Sequence, residues 1–308
     1  MKKGTLKYIV GGSMVGFGIL LIFIAVCIGG WGILRDFGGI NIDWDGVHYY
    51  VNDSNEFDLS GGNGTMDKKD IKNLKIDVEY GSLIIKTGNV DEIKVSTKNI
   101  ISNRFSMNQE NDTAIIKYKG GFSFFTWKSD SEIIITLPDD MTFDKTVISN
   151  GAGTTEIKDF ISDELKMSNG AGEFEIENLT VKKKLILENG AGAVNMNNVN
   201  CGEIDFNAGV GEIIAENVIC EGLKMDGGVG SFKFSGEING DVDIDNGIGE
   251  VRMTVYGNTS DYRFDVDSGV GNVRVNGQTP IHSSEGKYKF KIDTGIGEVT
   301  VNFKDKEK

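Results

Sequence analysis

The chain has 308 residues, of which 39% are hydrophobic and 25% charged, with 42 glycines, two prolines and a formal net charge of −14. That acid excess excludes nucleic acid as a ligand, because phosphate backbones are held by lysine and arginine surfaces. It also disfavours direct binding to anionic lipid and suits a cationic partner or a counterion cloud. With three cysteines and two histidines and no cluster at metal-ligand spacing, a zinc site is excluded as well.

Lys2, Lys3 and Lys7 lead into an uncharged stretch from Tyr8 to Leu34 whose centre, Ile19 to Ile28, is nearly all aliphatic. About 20 apolar residues in a helix span a ~30 Å hydrocarbon core, and this stretch is longer. We therefore expect a cytoplasmic N-terminus (residues 1–7) and one transmembrane helix (residues 8–30), oriented by the basic residues on its inner side. Trp31 and Arg35 follow at the expected interface. The stretch is too long for the apolar part of a signal peptide and lacks an Ala-x-Ala site, which favours an uncleaved single-pass anchor. A lipoprotein reading competes through Cys27, although Val26 is a poor residue before a processed cysteine. Gly12 and Gly16 make a GxxxG match, a weak helix-pairing signal by itself. Setting the three leading lysines aside takes the net charge from −14 to about −17 for the exported part.

Residues 31–70 read as a juxtamembrane tether, with the polar, glycine-bearing runs Asp53-Ser54-Asn55 and Gly61-Gly62-Asn63-Gly64. Trp44, Tyr49 and Tyr50 belong either at the membrane surface or under a lid. Residues 71–145 read as an irregular β cap with the first coils. Ile71–Val78, Leu83–Ile85, Ile93–Val95, Ile115–Ile116 and Ile133–Ile135 are its strands, and Pro138 ends the last of them.

From residue 146 to 303 the frame Gly-x-Gly recurs eight times: Gly151/Gly153, Gly170/Gly172, Gly190/Gly192, Gly209/Gly211, Gly228/Gly230, Gly247/Gly249, Gly269/Gly271 and Gly295/Gly297. The steps are 19, 20, 19, 19, 19, 22 and 26 residues. A fixed period near 20 marks one supersecondary unit stacked on copies of itself. Within a unit, Leu165 and Met167 alternate with polar neighbours before the glycines, and Phe174 and Ile176 resume the alternation after them. That period of two is the pattern of a strand with one buried face. A corner between two such strands needs positive φ or close backbone approach, and glycine supplies either. With no helix-length crossover, the pattern predicts an all-β fold, a single parallel β-solenoid with ~19-residue coils. At ~3.3 Å per residue and ~4.8 Å per coil, it would have a perimeter of roughly 60 Å and a stack of roughly 40 Å.

Stacking brings like residues together. Asn150, Asn169 and Asn189 precede the glycines and are placed for an amide ladder. Asp226, Asp245, Asp267 and Asp293 would form a column of like charge, either a solvated acidic ridge or a weak calcium site. The calcium-binding nonapeptide roll is excluded, since its period is nine and Phe232 stands where its aspartate belongs. Cys201 and Cys220, one period apart, are placed either for a disulfide or as two free thiols. The two longest steps put extra loops at Tyr256–Tyr262 and Gly277–Lys287, and residues 304–308 form a charged tail.

The chain offers little chemistry. His48 and His282 are far apart, and neither a Gly-x-Ser-x-Gly elbow nor a lysine-bearing phosphate loop is present. Glu173, Glu212, Glu250 and Glu298 follow the glycines on the outward side, but a glycosidase needs two carboxylates in a cleft beside sugar-stacking aromatics. The expectation is a non-enzymatic chain with no catalytic residue and no cofactor.

Three stretches carry a family resemblance: Leu74-Lys75-Ile76-Asp77-Val78-Glu79-Tyr80-Gly81-Ser82-Leu83, Ile133-Ile134-Ile135-Thr136-Leu137-Pro138, and units such as Leu185-Ile186-Leu187-Glu188-Asn189-Gly190-Ala191-Gly192. From Ile71 to Phe303 the chain resembles the bacterial putative-adhesin β-strand-repeat family of membrane-anchored envelope proteins, a domain of unknown function. The resemblance implies a solenoid on the outer side of a membrane and carries over no catalytic residue. The function expected is a binding or scaffold module of the cell envelope, facing wall polymer or an envelope protein. The alternative is an accessory sensor or modulator of an envelope-stress response acting through membrane partners.

Overall fold

The computed structural model describes residues 40–43, 46–49, 59–119, 131–279 and 285–305. The expected anchor helix at residues 8–30, the lipoprotein cysteine Cys27, Trp44, Tyr50 and His282 lie outside the described residues. No helix among the described residues is long and apolar enough to cross a membrane. The chain divides into two units, Met1–Phe57 and Asp58–Lys308. In the first, β1 (Ile40–Asp43) pairs antiparallel with β2 (Gly46–Tyr49), setting His48 opposite Asn41.

The second unit is one large sheet wound on itself. Its longest run, β10 (Phe143–Ile238), is continuously extended and passes through five Gly-x-Gly corners. Burial alternates along it as the sequence pattern requires: Leu165, Met167, Phe174 and Ile176 are buried, as are Leu185, Leu187, Val194 and Met196 one coil on. Each fully buried aliphatic of this kind contributes roughly 1.5–3 kcal/mol of transfer free energy.

The two glycines of a frame are needed for different reasons, which the sequence pattern did not separate. Positive φ falls only on the second: Gly153, Gly172, Gly192, Gly211, Gly230, Gly249, Gly271 and Gly297 all lie between +132° and +157°. The first glycine is required by close approach alone. A Cβ on Gly170 would meet the Gly151 carbonyl oxygen; Gly190 meets Gly170, Gly209 meets Gly190, Gly228 meets Gly209 and Gly247 meets Gly228. These contacts give the order of stacking. The second glycines repeat it, from Gly153 on Gly81 and Gly172 on Gly153 through to Gly230 on Gly211 and Gly249 on Gly230. At Gly211 both constraints act together, because φ is +152° and a Cβ would lie 1.8 Å from the Gly192 carbonyl oxygen. The corner exists because coils approach backbone to backbone.

At both ends the spatial order departs from chain order. After β11 (Val242–Tyr256) the next neighbour is β13 (Tyr288–Lys304), and β12 (Tyr262–Val275) lies outside it, all three parallel. The glycines agree: Gly295 and Gly297 face Gly247 and Gly249, whereas Gly269 and Gly271 face Gly295 and Gly297. The C-terminal coil is thus inserted between its two predecessors. The start of the stack does the same. β4 (Asn73–Tyr80) and β5 (Ser82–Gly88) form one coil around Gly81 and pair with β10 on one side. On the other side they pair with β8 (Thr113–Tyr118) and β9 (Glu132–Pro138), although those strands come later in the chain than β4 and β5 and earlier than β10. A simple stack in sequence order is corrected to one with an exchanged coil at each end.

The outermost N-terminal coil is covered by antiparallel strands: β7 (Phe105–Glu110) on β8, β6 (Ile93–Ile101) on β9, and β3 (Leu59–Met66) on β6. β3 falls in the stretch read above as tether, so residues 59–66 belong to the sheet. Pairing β6 and β7 in reverse ends the parallel ladder, which protects an edge that would otherwise template further strands. Tyr118 anchors this cap. Its buried hydroxyl lies 3.2 Å from that of Tyr80 and accepts from the Ile101 N–H at 3.4 Å. At the other end Tyr262, Phe264, Phe290 and Phe303 pack together with ring centroids 5.3–6.2 Å apart, and the Tyr262 hydroxyl donates to the Ile238 carbonyl.

The amide ladder forms at a different corner from the one expected. Asn150, Asn169 and Asn189 point inward and are buried, and neither amide atom of Asn169 finds a partner. Asn150 donates instead to Thr155 Oγ1 at 3.0 Å. The ladder is built at the second, polar corner, where Asp159, Asn178 and Asn198 have φ of 53°, 56° and 57°. There Asn178 Nδ2 donates to Asp159 Oδ1 at 2.8 Å and Asn198 Nδ2 to Asn178 Oδ1 at 2.6 Å. The period-two alternation explains the difference: it turns the residue before the glycine into the core, whereas a left-handed corner residue projects to the surface, where amides stack.

Candidate binding surface

Because each coil repeats the last, every outward position becomes a column along the axis, and the columns constitute the surface. Across β10 the columns are zipped by ions and amides. Lys166 Nζ pairs with Glu188 at 2.7 Å, Lys182 and Lys183 both reach Asp163 at 3.0 and 3.1 Å, and Lys233 reaches Glu212 at 2.7 Å. The two lysines hold the Asp163 carboxyl below the ordinary aspartate range by hydrogen bonding, and Lys233 does the same to Glu212. Exposed pairs of this type each contribute little; their repetition favours one register of coil on coil.

Glu173 and Glu175 lie side by side, both accepting from Asn195 Nδ2, at 3.2 and 2.7 Å. The hydrogen bond with Glu175 pushes the Glu173 carboxyl up from the ordinary glutamate range. Next to it a groove of about 470 Å³ is lined by Glu156, Lys158, Glu175, Glu177, Asn195 and Glu216, among others. Of the other post-glycine glutamates, Glu212 is held by Lys233 and Glu250 by Arg252 at 2.5 Å, while Glu298 stacks in register on Glu250.

The pairings bring the four predicted aspartates into one column, in the order Asp226, Asp245, Asp293, Asp267. Among the described residues no group of three or more acidic, histidine or cysteine side chains converges as a metal site would require. Lys291, two residues before Asp293, is held 3.2 Å from Asp243. Cys201 and Cys220 are both free and buried. Burial raises both; Cys220 is pushed up to about 12, so neither is a thiolate near neutral pH.

One outward column was not singled out in the sequence. The middle residue of each Gly-x-Gly corner is exposed. In the first three frames it is Ala152, Ala171 and Ala191; in the last five it is Val210, Val229, Ile248, Val270 and Ile296. Register stacks Val229 on Ile248, Ile248 on Ile296 and Ile296 on Val270. The switch from Ala to branched aliphatics at one repeat position was the available signal.

A wound, mostly parallel sheet with glycine corners and solvent-facing columns defines a solenoid-like β-repeat protein. The chain belongs to the Toastrack DUF4097 family, a domain of unknown function whose model matches residues 71–308. No curated protein matches it. Among solved structures it is similar to a putative cell adhesion protein from Clostridium sporogenes, at 16% identity over 80% of this chain and 99% of that one, with a TM-score of 0.27. It is also similar to a putative adhesin from Bacteroides fragilis, at 12% identity over 79% and 97%, with a TM-score of 0.45. A third is a putative lipid binding protein from Parabacteroides distasonis, at 11% identity over 80% and 98%, with a TM-score of 0.34. None of these likenesses bears on what this chain binds.

Proposed function

We propose that the chain is a non-enzymatic binding or scaffold module of the bacterial cell envelope, anchored by its N-terminal apolar segment with the β-repeat on the outer side. The observation that carries the reading is the stack itself: its outward positions line up as columns along the axis, and two of them, the aspartate column and the apolar corner column, keep one character over at least four coils. Such extended faces suit a polymer or a protein partner better than a small substrate. The uncharged run from Tyr8 to Leu34 behind Lys2, Lys3 and Lys7 supports the anchor and its orientation.

Crosslinking the full-length protein in intact cells tests this, with mass spectrometry of what stays attached and an anchor-only chain as control. Wall polymer or envelope protein retained above the control is the expected result. A near-stoichiometric membrane signalling protein would replace this reading with a stress-response modulator, and recovery equal to the control would overturn the binding role.

A further inference from the structure

We propose that the column Val210, Val229, Ile248, Ile296 and Val270 is a docking ridge for a basic amphipathic α-helix of a partner protein. This names the partner for the binding-module reading and rests on it. The five side chains are 46–71% exposed, and in the stack they follow one another without a gap. The fold does not ask for them, because alanine occupies the same corner position at Ala152, Ala171 and Ala191 with the same backbone. Branched aliphatics at a position where alanine suffices, held in solvent over five consecutive coils, are an unpartnered apolar surface.

Spacing selects the occupant's secondary structure. Coils repeat every ~4.8 Å, whereas one face of an extended strand laid along the axis repeats every ~6.6 Å, so the mismatch reaches about 3.6 Å by the third rung and about 7 Å over the ridge. The apolar stripe of a helix, recurring every ~3.5 residues at ~1.5 Å rise, repeats every ~5.3 Å. Over the ~19 Å ridge the mismatch accumulates to only about 2 Å, within side-chain reach, and about 13 residues of helix cover it.

Charge selects its chemistry. Three residues before four of the five rungs runs the column Asp226, Asp245, Asp293 and Asp267, with Asn207 in that place before Val210. None of the four forms an ion pair among the described residues, and the cation beside them, Lys291, is paired with Asp243 and interacts with Asp293 and Asp245 only through its field. On the other flank Arg252 already answers Glu250, and Lys233 answers Glu212. Four carboxylates facing one lysine that is already paired leave the excess acid on the aspartate side, where a helix carrying lysine or arginine beside its apolar stripe would set its cations. A second copy of this chain would bring one aspartate column against another, and an anionic bilayer would be repelled by it.

The test uses the full-length chain in a non-ionic amphipol and a fluorescein-labelled 15-residue Leu/Lys peptide with leucines at i, i+4, i+7 and i+11. Fluorescence anisotropy compares wild type with V229A/I248A/I296A, which copies the alanine corners of the earlier coils, and with D226N/D245N/D293N. Circular dichroism checks that each variant is folded. We expect the peptide to bind wild type, to weaken with salt, and to bind each triple variant about tenfold more weakly or worse. Equal binding by wild type and the alanine variant overturns the proposal. So does equal binding of a Leu/Glu peptide of the same pattern. A dimer lost only in the alanine variant, with no peptide bound, would assign the ridge to self-association; uptake by phosphatidylglycerol vesicles would assign it to lipid. Any of these failures leaves the in-cell crosslinking result untouched, so failure of the ridge and failure of the binding role are distinguishable.

Discussion

Replacing Gly211 by alanine should cost far more than the same change at Gly257, although both residues have nearly the same φ. Their φ values are +152° and +155°, so each alanine suffers the same strain, of about 1–3 kcal/mol. Around Gly257 nothing lies within 4 Å, and the strain is the whole effect. At Gly211 the new Cβ would stand 1.8 Å from the Gly192 carbonyl oxygen, 2.8 Å from its carbon and 3.1 Å from its nitrogen. The obstacle is backbone, already fixed by the coil on its far side, so relief requires the two coils to part locally. Breaking two or three ladder hydrogen bonds at about 1 kcal/mol each, together with the strain, brings the total to roughly 4–5 kcal/mol. At 2–4 °C per kcal/mol for a domain of this size, Gly211→Ala should melt roughly 8–20 °C below wild type and Gly257→Ala a few degrees below it. Differential scanning calorimetry measures both. Equal melting temperatures would refute the argument that backbone-to-backbone approach, rather than positive φ, is what the corner requires.

Other outcomes follow from the same geometry. Truncation after Asn276 removes β13 from between β11 and β12; hydrogen exchange should then accelerate in both Tyr262–Val275 and Val242–Tyr256, whereas loss of protection in Tyr262–Val275 alone would contradict the exchanged order. Cys201 and Cys220, buried with raised thiol pKa values, should resist iodoacetamide at pH 8 in the native protein and react in denaturant; a mass two hydrogens light before reduction would contradict this. Burial and the hydrogen bond with Tyr80 raise Tyr118 above the ordinary phenol. Its neutral form is therefore the one the fold favours: the stabilisation is complete below about pH 10, the unfolded value, and is lost as pH rises beyond it. Tyr118→Phe should lower stability at pH 7 by about 1 kcal/mol and flatten the alkaline limb of a urea-midpoint profile, and an unchanged limb would rule Tyr118 out as its source.

What the amino-acid sequence determines by itself is the unit: alternation around Leu165, Met167, Phe174 and Ile176, a glycine corner, and a period that repeats them. These are consequences of local sterics and of one buried face, and both are written into consecutive residues. Which coil lies on which is a different matter. β13 between β11 and β12, and β4–β5 between β8–β9 and β10, join units with near-identical apolar patterns. Periodicity assigns such units the same shape without saying who neighbours whom. The same limit applies to side chains. The residue names at Asn150, Asn169 and Asn189 suggested a ladder, yet the pleat buries them, and Asn178 and Asn198 stack at the other corner. The apolar ridge and the aspartate column beside it become surfaces only when winding sets residues 19 to 48 apart next to one another. Distance along the chain carries no such information; the parallel ladder, which fixes register coil by coil, supplies it.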